Sequence, residues 1–199
     1  MKKFFSSTWF KCISVLLVIA LISAALLTIL SYVLYVSPEE RTMRAIKKIY
    51  GEEKTFSIVI DADSSDESVK TPYVSENYGK INKLFIVGDE NAESYDLLFQ
   101  ASGKNGYKNG TVTLWIKVVH SADGDKIEKV ILESYDKQTL MSKFSGSFYN
   151  NFYVDVTGDY FTARKNETDI YNPVSGATFS ATAANNAVNC VIEYVRGSK

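Results

Sequence analysis

Between Ile13 and Val36 the chain carries no charged residue, and that run constrains the fold more than any other feature. At 1.5 Å of rise per residue it extends about 36 Å as a helix, enough for one tilted crossing of a bilayer. A cleaved signal peptide is the competing reading. The run is longer than a usual signal core, and Ser31-Tyr32-Val33-Leu34-Tyr35 lacks a small-x-small cleavage pattern, so a retained anchor is expected. Cys12 follows Phe10-Lys11 and precedes the apolar run, which does not suit a lipoprotein cysteine.

Charge does not settle the orientation. Lys2, Lys3 and Lys11 on one side of the run face Arg41, Arg44, Lys47 and Lys48 on the other. A short N-terminal tail with a long folded part behind the anchor favours a domain outside the cytoplasm, because large domains translocate with little regard to charge. The whole chain has 22 basic and 23 acidic residues, and three of the basic ones precede the run, so the remainder is mildly acidic. That balance argues against nucleic acid as a partner. Cys12 and Cys190 stand at opposite ends of the chain, too few and too far apart for a metal motif or an expected disulfide.

Ser37-Pro38-Glu39-Glu40 has the pattern of a helix start, with Pro at the first helical position and the Ser-x-x-Glu of a capping box. Met43, Ile46, Ile49 and Tyr50 give that helix one apolar stripe, and Gly51 supplies its stop. Two roles fit it, a juxtamembrane spacer or an element docked on the domain. Phe56 to Ile60 is a short β-rich run. Asp61 to Lys70 is crowded with Asp, Ser and Glu and reads as a solvated loop, since it lacks the glycine that an EF-hand turn requires. From Ile81 the pattern alternates like sheet, at Ile81–Val87, Leu97–Ala101, Thr111–Val119 and Ile127–Glu133, with the last two joined as a hairpin across 121–126. Tyr135 to Tyr149 is more helical in composition, and Asp155 to Thr168 returns to turn chemistry. His120, the sole histidine, is expected at the hairpin end with no identifiable Ser, Cys or metal partner.

Near the C-terminus, Ala184, Ala187, Val188, Val191, Ile192 and Val195 recur at helical spacing, while Asn185, Asn186, Asn189 and Glu193 fall on the opposite side. Ser180 reads as the N-cap of this helix. Just ahead stands Ser175-Gly176-Ala177-Thr178, which places a threonine hydroxyl beside small residues at a helix mouth. Unpaired first-turn N–H groups and the positive end of the macrodipole suit a phosphate there.

These residues resemble the signature of a known family, the FMN-binding domain carried by the flavin-bearing subunits of the Rnf electron transport complex and of the sodium-pumping NADH:quinone reductase. That family carries Ser/Thr-Gly-Ala-Thr/Ser before a last helix, behind an N-terminal membrane anchor. Gly106-Tyr107 followed by Gly110 resembles its Gly-Tyr-x-Gly segment with one residue added, and the likeness covers roughly residues 95 to 196. The acidic residue that the family has three positions before the signature is Asn172 here. Its Glu-Thr-Pro-Gly-Leu-Gly loop is replaced around Asp136 to Met141, with Leu140 retained.

The resemblance implies FMN esterified through its phosphate to Thr178 by a dedicated flavin transferase. Ser175, Gly176, Ala177 and Ser180 would complete the cofactor-binding signature, with Asn172, Tyr107 and Leu140 beside it. Thr178 is then an attachment residue, and neither a catalytic residue nor a metal ligand is expected. The implied function is a membrane-anchored extracytoplasmic flavoprotein, the electron-transfer subunit of an ion-translocating or related redox complex. Its partners would be the membrane, the other subunits of that complex and the transferase. An anchored non-redox binding or assembly domain, with Ser-Gly-Ala-Thr merely leading into the last helix, is the alternative. The expected fold is α+β: tail and transmembrane anchor over 1–36, juxtamembrane helix, short strand and acidic loop over 37–80, and an FMN-binding domain over 81–199 with an antiparallel sheet flanked by helices.

Overall fold

The computed structural model describes residues 8–34, 36–89, 91–144, 146–154, 159–164, 166 and 168–197. Lys2, Lys3 and part of the turn-rich segment read at Asp155 to Thr168 lie outside the described residues. The chain divides into two compact units, Met1–Arg41 and Thr42–Lys199.

The first unit is dominated by helix α1, Thr8–Leu34. Its Cys12–Leu34 stretch has a mean hydropathy of 2.9, long and apolar enough to cross a bilayer, although a signal sequence meets the same description. Leu16, Leu21, Ile22 and Leu27 are all exposed. A helix apolar on every side requires an apolar surrounding.

Helix α2, Pro38–Tyr50, starts as its sequence dictates: Ser37 Oγ accepts the Glu40 backbone N–H at 3.1 Å. It ends at Gly51, whose φ of +80° is the left-handed stop that glycine takes without strain. Within the second unit, Ala45, Ile46 and Ile49 pack with Phe85, Val87, Leu98 and Trp115. Docking, not spacing, is therefore the role of this helix. Lys129 Nζ adds a hydrogen bond to the Ile49 carbonyl at 2.7 Å, satisfying an acceptor at the helix end.

The main sheet runs β1-β3-β4-β5-β6, with β2 also paired to β3, and every pairing in it is antiparallel. The strands are β1 Phe56–Asp61, β2 Tyr73–Val74, β3 Gly79–Val87, β4 Ser94–Gly103, β5 Val112–Ser121 and β6 Lys126–Tyr135. Strands β1 and β2 both border β3, so the 37–80 segment contributes to the same sheet as the residues after it. Neighbouring residues along a strand face opposite ways, which sends Leu84, Phe99 and Leu114 to one side and Phe85, Leu98 and Trp115 to the α2 side. Tyr135 belongs to β6, opposite Val112, so the helical composition of Tyr135 to Tyr149 is overridden at its start by cross-strand pairing. Among the described residues of that segment an α-helix, α3, forms at Gly146–Tyr153, after a short 3-10 turn at Met141–Lys143. A small parallel pair, β7 Phe161–Thr162 and β8 Ile170–Tyr171, follows.

Helix α4, Thr178–Gly197, covers the face of the sheet opposite α2. Its approach is very close at Gly103, where a Cβ would sit 2.0 Å from the Ala183 carbonyl and 2.3 Å from the Ala187 nitrogen. Only glycine on the strand, against Ala183, Ala184 and Ala187 on the helix, permits that spacing. The downstream fold is thus α+β, an antiparallel sheet between two helices.

Candidate functional site

The first turn of α4 is set by the turn before it. Gly176 has a φ of +71°, and the Ala177 N–H returns to the Val174 carbonyl at 2.9 Å. Ala181 N–H then donates to the Ala177 carbonyl at 2.9 Å, so Ala177 is the N-cap and Thr178 the first helical residue. The expected N-cap, Ser180, lies inside the helix and is buried. Its hydroxyl donates to Gln138 Oε1 at 2.9 Å. An alanine cap brings no side-chain acceptor, and the opening N–H groups have no partner one turn earlier in the helix.

Thr178 is exposed at this mouth, as are Ser175 and Gly176, while Ala177 is buried beneath them. Lys143 donates from Nζ to the Ser175 carbonyl at 2.8 Å, and a Cβ on Gly176 would stand 2.8 Å from the same ammonium. A side chain at Gly176 would therefore press on the mobile end of Lys143. A hydroxyl, a positive helix end and an ammonium therefore share one small area of surface.

Gln138 ties the other expected residues to that mouth. It is buried, accepts the Tyr107 N–H at 3.1 Å on the same Oε1 that receives Ser180, and donates from Nε2 to the Asp136 carbonyl at 2.8 Å. Gly106 and Gly110 close over it, each with its Cβ position about as near as 2.5 and 2.6 Å to Nε2. Between them Lys108 and Asn109 take positive φ, which gives a compact loop. The Gly106–Gly110 segment, the 136–141 loop and the first turn of α4 thus converge on one amide. Tyr107 and Leu140 are partly exposed near this junction, at 38% and 37%. Neither Gln138 nor Lys143 was singled out from the sequence, since a lone Gln and a lone Lys acquire meaning only through partners more than 30 residues away.

Asn172 has a different environment from that of Thr178. It is fully buried, and its Nδ2 donates to Asn185 Oδ1 at 3.0 Å, the atom that also receives the Tyr153 hydroxyl at 2.6 Å. Burial holds the Tyr153 phenol well above its ordinary pKa, so it stays a donor. Asn189 accepts the Phe161 N–H and donates to the Phe161 carbonyl, both at 2.8 Å, and Asn186 donates to the Lys104 carbonyl at 2.9 Å. The polar side of α4 is thus buried wherever these three asparagines lie.

Two smaller expectations also change or sharpen. His120 stands at the hairpin end as expected, where its Nδ1 pairs with the Asp125 carboxylate and its ring lies 4.7 Å from that of Tyr95. Cys12 and Cys190 are both free thiols, and burial pushes Cys190 up to about 12, far from thiolate reactivity.

Comparison of the chain with protein-family models gives no match, and comparison with curated proteins gives none either.

Proposed function

We propose that this chain is a membrane-anchored flavoprotein, its domain outside the cytoplasm, that carries FMN through a phosphoester on Thr178 and passes electrons within a membrane redox complex. The observation that carries the reading is the exposed Thr178 hydroxyl at the open first turn of α4, with the Lys143 ammonium anchored to the adjoining Ser175 carbonyl. A phosphate diester there would keep one negative charge, matched by the ammonium and by the helix end. The small residues Gly176 and Ala177 leave room for a modifying enzyme to reach the hydroxyl. The three segments of the family resemblance also meet through Gln138, as a common site would require. When bound, FMN supplies electron-transfer chemistry at its isoalloxazine ring, and the protein positions it. Tyr107, Leu140 and the exposed Phe179 offer flat or apolar surface around the mouth.

Mass spectrometry of protein from cells containing an active flavin transferase tests this directly. The peptide bearing Thr178 should be heavier by one FMN less one water, and an unmodified peptide would sink the proposal. Protease added to intact spheroplasts should digest the domain. Protection beside a degraded periplasmic control would reverse the proposed orientation.

A further inference from the structure

A pocket of about 310 Å³ opens between the sheet and the C-terminal part of α4, walled by Leu84, Leu97, Tyr95 and Val195 and flanked by His120 and Asp125. It is separate from the Thr178 mouth, since about 24 Å of helix at 1.5 Å per residue lies between Thr178 and Tyr194, another wall residue. Such a volume is at the small end of ligand sites, and mostly apolar walls with one convergent polar group are their usual make-up.

The polar group is built by the β5–β6 hairpin. His120 lies next to the end of β5 and Asp125 just before β6, so the turn brings the imidazole Nδ1 onto the carboxylate. That hairpin turn is already closed without them, by Gly124 N–H to the Ser121 carbonyl and by Ser121 Oγ to the Gly124 carbonyl, each at 3.0 Å. An ionised carboxylate only accepts, so in the neutral form of the ring the bridging proton lies on Nδ1 and Nε2 keeps a lone pair. Nε2 has no hydrogen-bond partner among the described residues. Tyr95, paired with His120 across the strands, tilts its ring against the imidazole and limits its rotation. The carboxylate is 8% exposed and the imidazole 38%, so the charge sits behind and the acceptor in front. A carboxylate behind an imidazole orients the ring and fixes the tautomer of its neutral form.

We propose that this pocket binds a small hydroxylated aromatic molecule, its ring between the aliphatic walls and its hydroxyl donating to His120 Nε2. The inference does not rest on the flavin reading.

Equilibrium dialysis of the full-length protein in detergent, with 2-naphthol and with naphthalene as probes, tests it. Uptake by micelles is common to all variants and cancels when affinities are compared between them. His120→Phe keeps a ring against Tyr95 and should weaken 2-naphthol about 5- to 10-fold while changing naphthalene by less than about twofold, the worth of one hydrogen bond. Asp125→Asn should reduce the same hydroxyl preference by freeing the tautomer, and Val195→Trp should fill the pocket and weaken both probes. Thr178→Val should bind both as the wild type does. Absence of saturable 2-naphthol binding, equal weakening of the two probes by His120→Phe, or loss of binding in Thr178→Val would each overturn the proposal.

Discussion

Helices α2 and α4 cover opposite faces of one sheet, yet they relate to their sequences in different ways. Helix α2 buries Ala45, Ile46 and Ile49 and leaves Arg44, Lys47 and Lys48 exposed, so its periodicity describes its surroundings. Helix α4 has an equally regular pattern, but Asn185, Asn186 and Asn189 are buried along with its alanines. The difference lies in what stands on the polar side. Beside those asparagines lie backbone groups of Lys104, Phe161 and Asn172, which would be orphaned by an apolar neighbour. Asparagine both donates and accepts, so it can occupy a buried face that leucine could not. Helical polarity marks the solvent side only where the neighbouring backbone is already satisfied.

The largest expected effect sits where α4 meets the sheet. Gly103→Val drives side-chain atoms into the Ala183 carbonyl and the Ala187 nitrogen, and chemical denaturation should show a loss above about 4 kcal/mol or no folded domain. A mild effect would mean that α4 is held less closely than α2. Next come one residue from each helix. Ile46→Ala should cost about 2–5 kcal/mol through its cavity, and Asn189→Ala about 2–4 kcal/mol by stranding both polar groups of Phe161. If Asn189→Ala cost no more than an exposed substitution, the contrast between the two helices would fail.

Asn172→Asp sharpens the comparison through pH. The family resemblance suggests that an acid belongs at this position, whereas the buried contact requires a donor toward Asn185 Oδ1, which only a protonated carboxyl supplies. The folded state then holds this carboxyl neutral while the unfolded chain titrates it near about 4. The substitution should be nearly neutral in acid and cost about 1–3 kcal/mol as pH rises through the folded value. Thermal melts that are pH-independent relative to wild type would show that the amide contact contributes little.

Thr178→Val should have the smallest effect, within about 0.5 kcal/mol, because the residue is exposed and Ala177 is the cap. Its melting curve should match wild type while the purified protein is colourless. A large loss of stability would make Thr178 part of the scaffold of α4 instead of its chemical end.

Local patterns determined much of the molecule. The apolar run at Ile13 to Val36 required a long helix, Ser37 and Gly51 bounded α2, and alternation from Ile81 onward gave four strands and the β5–β6 hairpin. The turn before α4 was equally legible, because Ser175-Gly176-Ala177-Thr178 is contiguous and its small side chains suit a turn. Tertiary structure alone decided the start of α4, the fate of its asparagines, the pairing of His120 with Asp125 and the roles of Gln138 and Lys143. Each of these depends on a partner supplied by chain folded back from elsewhere, at distances from 5 residues for His120 to 82 for Asn186 with Lys104. Periodicity reports which side of an element is apolar. It carries no information on which polar backbone will arrive beside the other side, and in this protein that arrival sets both the core of α4 and the surroundings of Thr178.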